Sequence, residues 1–313
     1  MCIRDSNLGN LYDDEARWDE AEACFQEALS IYQKQDEPDG VARALSALAG
    51  IQQSQGRWDE AAASYAQSIE LRRKLNNPHG LATTLHNAAI VDCRRGQWKA
   101  ANQKLIEALR IYQALGDYLG QGGALNTLGV VSRAEGKRDA ARRFQEAALA
   151  IFQDVGDASG EARTLSNLAI LAQDESNWSE AEELQRRALA LFRELNQPDM
   201  MAKVCHSLGS LARLRGDYGK ALTWYEQAYR GAERVGDLNT MARALNDLGV
   251  LYSDLGQWDH AEEVLRESLQ LHRKLGSPHG EASALINLGQ LVHDRGDVDA
   301  AFECFEQALS ISC

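Results

Sequence analysis

The chain has 313 residues, with 46 Asp and Glu against 33 Lys and Arg, and a formal charge of −13. That balance disfavours nucleic acid, because a duplex-binding protein carries a basic face. No stretch approaches the roughly 18 apolar residues of a membrane span, and the N-terminus lacks a basic segment followed by an apolar one. Neither nucleic acid nor membrane is therefore an expected partner, and the expected compartment is the cytoplasm.

Met1 to Ser6 matches none of the later columns and reads as a non-repeat leader (1–6), foreign to the rest of the chain. From Asn7 the chain repeats itself every 40 residues, and one column never changes: Ala21, Ala61, Ala101, Ala141, Ala181, Ala221, Ala261 and Ala301. A fixed period of this size marks stacked copies of one supersecondary unit. The repeat predicts an array over 7–313 of about eight helical hairpins, with units near 1–39, 40–79, 80–119, 120–159, 160–199, 200–239, 240–279 and 280–313.

The second unit serves as the template. Val41 to Gln55 reads as a helix, with Ala44, Leu45, Leu48 and Ile51 at three- and four-residue spacing. Gly56 stops it, as do Gly96, Gly136, Gly216, Gly256 and Gly296 in their units. Trp58 comes next, then Asp59 and Glu60 at the start of a second helix, where the positive dipole end favours acids. That helix carries Tyr65, Ile69 and Leu71 on one face and ends in the turn Asn76-Asn77-Pro78-His79-Gly80. Two such helices cannot bury both apolar faces alone, so each pair must stack on the next. The invariant alanine is expected where helices approach most closely, and the column of Trp18, Trp58, Trp98, Trp178 and Trp258, with Tyr218 standing in once, is expected to seal the hairpin ends.

Departures from the template carry their own expectations. Gly120, Gly122 and Gly123 predict a weakened helix start, and Arg138 and Val298 break the tryptophan column. Met200 and Met201, and then Gly231-Ala232, predict the loosest packing between the sixth and seventh units. At the end of the chain, Phe302, Phe305 and Leu309 are expected to face solvent, which suggests a fragment of a longer protein. Of the six cysteines, Cys24, Cys205 and Cys304 sit in apolar columns, and Cys93 is expected to face a groove. No CxxC pair or Cys/His cluster has metal-ligand spacing, and carboxylate pairs such as Asp59-Glu60 recur in register as helix starts do. No metal, cofactor or catalytic group is expected.

The run Asn287-Leu288-Gly289, Leu291, Gly296, Ala301, and again Leu248-Gly249, Leu251-Tyr252, Gly256, Trp258, Ala261, resembles the tetratricopeptide repeat. The longer period is similar to the arrays of kinesin light chains, Pins-type scaffolds and bacterial signalling proteins. The resemblance implies an all-α fold, a right-handed superhelical solenoid of antiparallel helix pairs, whose first helices line a concave groove. The groove columns implied are Arg43, Arg163, Lys203 and Arg243; His86, Asn126, His206 and Asn246; and Asn87, Asn167 and Asn287, preceded by Asn7. These side chains can donate to a carboxylate or bond a peptide backbone. The first helices sum close to neutral, which leaves the acidic charge on second helices and turns.

The function expected is a non-enzymatic scaffold that holds a peptide or helix of a partner protein, acidic or ending in a free carboxylate, in that groove. Two other readings stay open. One is a self-assembling spacer that associates through uncapped ends; the other is the regulatory domain of an enzyme whose catalytic part lies elsewhere.

Overall fold

The computed structural model describes residues 18–312 and contains fifteen α-helices and no strand among them. The leader and Asn7 lie outside the described residues. The chain forms two compact units, one up to Gly160 and one from Glu161. The first holds α1 (Trp18–Lys34), α2 (Pro38–Ser54), α3 (Trp58–Lys74), α4 (Pro78–Arg94), α5 (Trp98–Leu115), α6 (Tyr118–Ala134) and α7 (Arg138–Val155). The second holds α8 (Ala158–Asp174), α9 (Trp178–Glu194), α10 (Pro198–Leu214), α11 (Tyr218–Val235), α12 (Leu238–Asp254), α13 (Trp258–Lys274), α14 (Pro278–Asp294) and α15 (Val298–Ser312). Even-numbered helices are the first helices of the hairpins, and odd-numbered ones are the second.

Turn chemistry sets this alternation. Every twentieth residue from Asp36 to Gly296 has positive φ; ten of these are glycines and the others are Asp36, Asn76, Ser176 and Asn196. The left-handed residue lets the chain fold back onto its own last turn. At Gly56, for example, the backbone N–H donates to Gln53 O at 3.1 Å while Arg57 N–H donates to Gln52 O at 2.8 Å. First helices begin three residues earlier than the apolar pattern predicts, at Pro38 rather than Val41. Proline at the first helical position needs no donor there and arrives with a helical φ. Asn77, Asp117 and Asp237 cap their helices by accepting from the backbone N–H of Gly80, Gly120 and Thr240 at 3.0, 2.8 and 3.0 Å.

The alanine column is fully buried from Ala21 to Ala261 and 2% exposed at Ala301. Ala101 shares a core with Ala89 of its own hairpin and with Leu128 and Val131 of the next, so helices close on it from two sides. Ala221 packs likewise with Ala212, Leu248 and Leu251. A second column works by exchanging large for small. Tyr32, Tyr112 and Phe152 lie flat on Gly40, Gly120 and Gly160, where any Cβ would collide with the ring. Where the large residue is Ala232, the glycine position is Thr240, and both are buried. Within the sixth hairpin Gly231 faces Ala202, whose Cβ would stand 3.2 Å from any Cβ placed on Gly231.

Gly120 and Gly122, where the sequence predicts a weakened helix start, are likewise contact positions. A Cβ on Gly122 would stand 2.8 Å from the Phe152 ring, and α6 starts in register with its counterparts. In the tryptophan column, Trp58 and Trp98 pack against cores, whereas Trp18 and Trp258 are 38% and 43% exposed. Phe302 and Leu309 on α15 are exposed, and Phe305 is half-exposed.

Ala181→Leu is expected to lower stability by about 1–3 kcal/mol through overpacking, read as a lower urea midpoint by far-UV circular dichroism. Gly40→Thr and Tyr32→Ala should each destabilise, by overpacking and by leaving a cavity. The double variant copies the Ala232/Thr240 arrangement and should recover much of the sum. Strict additivity in that cycle would contradict the exchange of volume between the two columns.

Candidate functional site

One face of each first helix is only partly covered by the hairpin cores. In α2 it carries Arg43, Ser46, Ala47 and Gly50, which recur at three- and four-residue spacing, all exposed or half-buried between buried neighbours. First helices of successive hairpins lie side by side: α4 touches α6, α10 touches α12, and α12 touches α14. Bonds between residues 41 apart knit these faces together. His86 Nε2 lies 3.0 Å from Thr127 Oγ1, with the ring fitted over Gly123, where a Cβ would stand 3.1 Å from Cε1. Asn287 Nδ2 donates to Asn246 Oδ1 at 2.9 Å, and His206 Nε2 lies 2.8 Å from Asp247 Oδ2.

The residues that the sequence singles out fall in both units. Arg43, His86, Asn87 and Asn126 belong to the first; Arg163, Asn167, Lys203, His206, Arg243, Asn246 and Asn287 belong to the second. Arg43, Arg163, Lys203 and Arg243 are exposed, and the asparagines and His86 are half-buried. His206 is less available than its column suggests: it is 8% exposed, with Nε2 2.8 Å from Asp247 Oδ2 but without hydrogen-bond geometry, and its ring lies 5.6 Å from that of Tyr225. The basic column is also uneven. Arg43 Nε is 3.4 Å from Asp39, and Lys203 Nζ is 3.5 Å from Asp199 and 3.8 Å from Asp237. Arg243 has Asn239 four residues earlier and no acidic partner among the described residues.

Around Arg243 the second unit opens a cavity of about 340 Å³, lined by His206, Asn246, Asp247, His272, His279 and Ser283 among others. His272 is 5% exposed, and its ring edge rests on Gly280 with Nδ1 unpartnered. Burial, and then the like charge of Arg243, hold its pKa below the ordinary imidazole value. Sequence reasoning passed over His272, Asn239 and Ser283. The signal was slight, because both columns vary along the chain: His272 stands where other units have Tyr, Phe, Arg or Ala, and Asn239 where they have Asp, His, Leu or Ser. His279 sits in the first turn of α14 and lines the same cavity.

Cys93 does not present a thiol to this face. It packs against the Ala89, Ala101 and Leu105 core, and burial pushes its pKa up to about 11. No group of three or more His, Cys, Asp or Glu side chains among the described residues is placed to hold a metal ion. No helix among them is long and apolar enough to cross a membrane.

Stacked antiparallel hairpins, each turning one polar helix face outward, define a helical-hairpin repeat array. The sequence matches the tetratricopeptide repeat over residues 3–74, 40–114, 80–154, 120–194, 160–234, 200–274 and 240–313, and the chain belongs to that family. No curated protein matches it. Among solved structures, BtubC (BKLC) from P. vanneervenii is 21% identical with a TM-score of 0.55, covering 75% of this chain and 92% of that one. A Rap protein complexed with competence and sporulation factor is 16% identical with a TM-score of 0.71, covering 99% and 97%. A plasmid-borne Rap conjugation gene regulator in complex with the Phr peptide is 15% identical with a TM-score of 0.70, covering 90% and 76%. At these identities the likeness is one of fold.

The depressed His272 pKa ties stability to pH. The unfolded ring titrates near the ordinary value of about 6.5 and the folded ring below it. Its contribution is therefore complete above that value and is lost as pH falls toward the folded pKa. His272→Phe, which copies Phe152 and Phe192 at the equivalent positions, is expected to narrow the drop in urea midpoint between pH ~7.5 and pH ~5. An equal drop in both proteins would remove His272 as its source.

Proposed function

We propose that the array is a protein-interaction scaffold that holds a peptide or helix of a partner along the first-helix faces, in a cytoplasmic setting. The observation that carries this reading is chemical. Within a chain of charge −13, these faces hold donors in excess: Arg43, Arg163, Lys203 and Arg243 with the asparagines beside them. Asparagine can pair both edges of a peptide backbone, and arginine can pair a carboxylate with two parallel bonds. A neutral to basic face inside an acidic molecule favours an acidic peptide or a free C-terminus. One of the structures that share the fold is a complex with a peptide and another is a complex with competence and sporulation factor, which supports the same mode of use.

Substituting Asn87, Arg163 and Asn167 together by Ala is expected to abolish capture of the partner that the unsubstituted array retains, with helicity and urea midpoint preserved. Capture at unchanged affinity would move the site off this face. Self-association is the second reading, favoured by the exposure of Phe302 and Leu309 on α15. A sedimentation coefficient that rises with concentration, and falls back in a Phe302→Glu, Leu309→Glu variant, would favour that reading.

A further inference from the structure

The hairpins are clamped to one another by arginines, and one copy of the clamp is half filled. Arginine closes the first helix of three hairpins, at Arg95, Arg215 and Arg295; the same column elsewhere holds Gln55, Glu135, Glu175 and Leu255. The residue 36 positions before each arginine is the second residue of the preceding second helix, and it is Asp59, Ser179 and Asp259 in turn. Arg95 Nη2 is 2.8 Å from Asp59 Oδ1. Arg295 holds two acids, with Nη2 3.1 Å from Asp259 Oδ1 and Nη1 2.7 Å from Glu262 Oε2. Arg215 repeats half of that arrangement: its Nη1 is 2.6 Å from Glu182 Oε2, but a serine stands where the aspartate would be. No acidic partner among the described residues takes its Nη2, and the Ser179 hydroxyl has no hydrogen-bond partner among them. Ser179 is exposed, as are residues 174–177 before it, and its helix is weakly capped, Asn177 Oδ1 accepting from Glu180 N–H at 3.4 Å. Ser179 also opens onto a cavity of about 460 Å³ along α9, whose charged lining is Arg186, Arg187 and Arg215 against Glu182 and Glu183. Glu182 is already shared, since Arg186 Nη2 donates to its other oxygen at 2.8 Å.

We propose that Ser179 is a phosphorylation site whose phosphate completes this clamp by pairing with Arg215, tying α9 to the end of α10. In the reaction Ser179 Oγ attacks the terminal phosphorus of a nucleoside triphosphate held by a protein kinase. A new O–P bond replaces the one to the departing nucleoside diphosphate, and the hydroxyl proton passes to the kinase's base. A serine side chain ends one atom short of the carboxylate oxygens of Asp59 and Asp259, whereas its phosphate reaches beyond them and brings a charge of about −1.5 to −2 near pH ~7. Guanidinium pairs phosphate with parallel bonds, and the first turn of α9 adds N–H groups without intrahelical acceptors. Glu180, Glu182 and Glu183 follow the serine closely. Of the two that line the cavity, Glu182 is neutralised by its arginines, and the three acids together suit a kinase with a basic substrate groove. The site sits at the turn end of a second helix and does not depend on the peptide-binding reading.

The test uses the full chain with phosphoserine placed at Ser179 during translation. Phosphorus NMR follows the second pKa of the phosphate, ordinarily about 6. Arg215→Gln is expected to raise that pKa by about one pH unit, because it removes the cation that favours the dianion. In concentrated urea the two proteins should agree. The phosphorylated chain should also have a higher urea midpoint than the unmodified one, a gain that Arg215→Gln erases. Ser179→Asp, which copies the pairing of Asp59 with Arg95, should give a smaller gain with the same dependence. In parallel, the unmodified chain is incubated with ATP and an acid-directed serine/threonine kinase, and mass spectrometry of its peptides is expected to locate the phosphate on Ser179. A phosphate pKa indifferent to Arg215→Gln overturns the clamp. Phosphate found only on other residues, or on none, overturns Ser179 as the acceptor.

Discussion

A residue with positive φ at every twentieth position is the constraint on which the other features depend. It ends each helix after about four and a half turns and reverses the chain, so that the first helices all have 17 residues and the second helices before the last have 17 or 18. Equal lengths keep the columns aligned between hairpins, and aligned columns are what allow one alanine per unit to serve as the contact point throughout. Ten of the fourteen positions are glycine, which takes this conformation without a Cβ penalty. Asp36, Asn76 and Asn196 tolerate it through short polar side chains, and Ser176 is held there by backbone bonds to the end of α8.

Packing between hairpins is then a matter of volume shared across columns. The last turn of a second helix and the first turn of the next first helix meet as ring on glycine, as guanidinium on glycine at Arg72, as imidazole on glycine at His272, or as alanine on threonine. The exchange is not strict, since Phe192 and Met200 occupy the two columns at one junction, and the chemistry of the wall changes from unit to unit. Functional difference between units thus comes from substitutions that the packing tolerates.

Charge is divided between the two helix types. Arg57 reaches back to Glu22 with a pair of bonds at 2.8 and 2.9 Å, and Arg215 reaches Glu182 and Arg295 reaches Glu262 at 2.6 and 2.7 Å. Part-exposed pairs of this kind contribute little individually, about 0–1 kcal/mol. Their consequence here is spatial: basic residues of the hairpin turns are consumed by acids of the preceding second helix. The charge balance of the first-helix faces is therefore set by a few local residues: Arg43 and Lys203 follow Asp39 and Asp199 by one turn, whereas Arg163 and Arg243 follow Ser159 and Asn239.

Much that depends on neighbours within a few residues was legible in the sequence: the 40-residue period, the glycine stops and the buried alanines. These come from backbone conformation and helical periodicity, which act locally and recur identically in each unit. The roles of Gly120, Gly122 and Gly231 were not legible, because a glycine reads as weakness until the ring or helix that occupies its missing Cβ is seen. Nor was Cys93, whose column faces outward by count and whose thiol turns to the core. At the candidate site, sequence named Arg243, His206, Asn246 and Asn287 but could not pair them. Contacts across 41 residues, such as His206 with Asp247 and Asn246 with Asn287, and a cavity walled by His272 and Ser283 depend on how closely successive first helices approach. That distance is set by side chains from three helices packed at once, which only the tertiary structure decided.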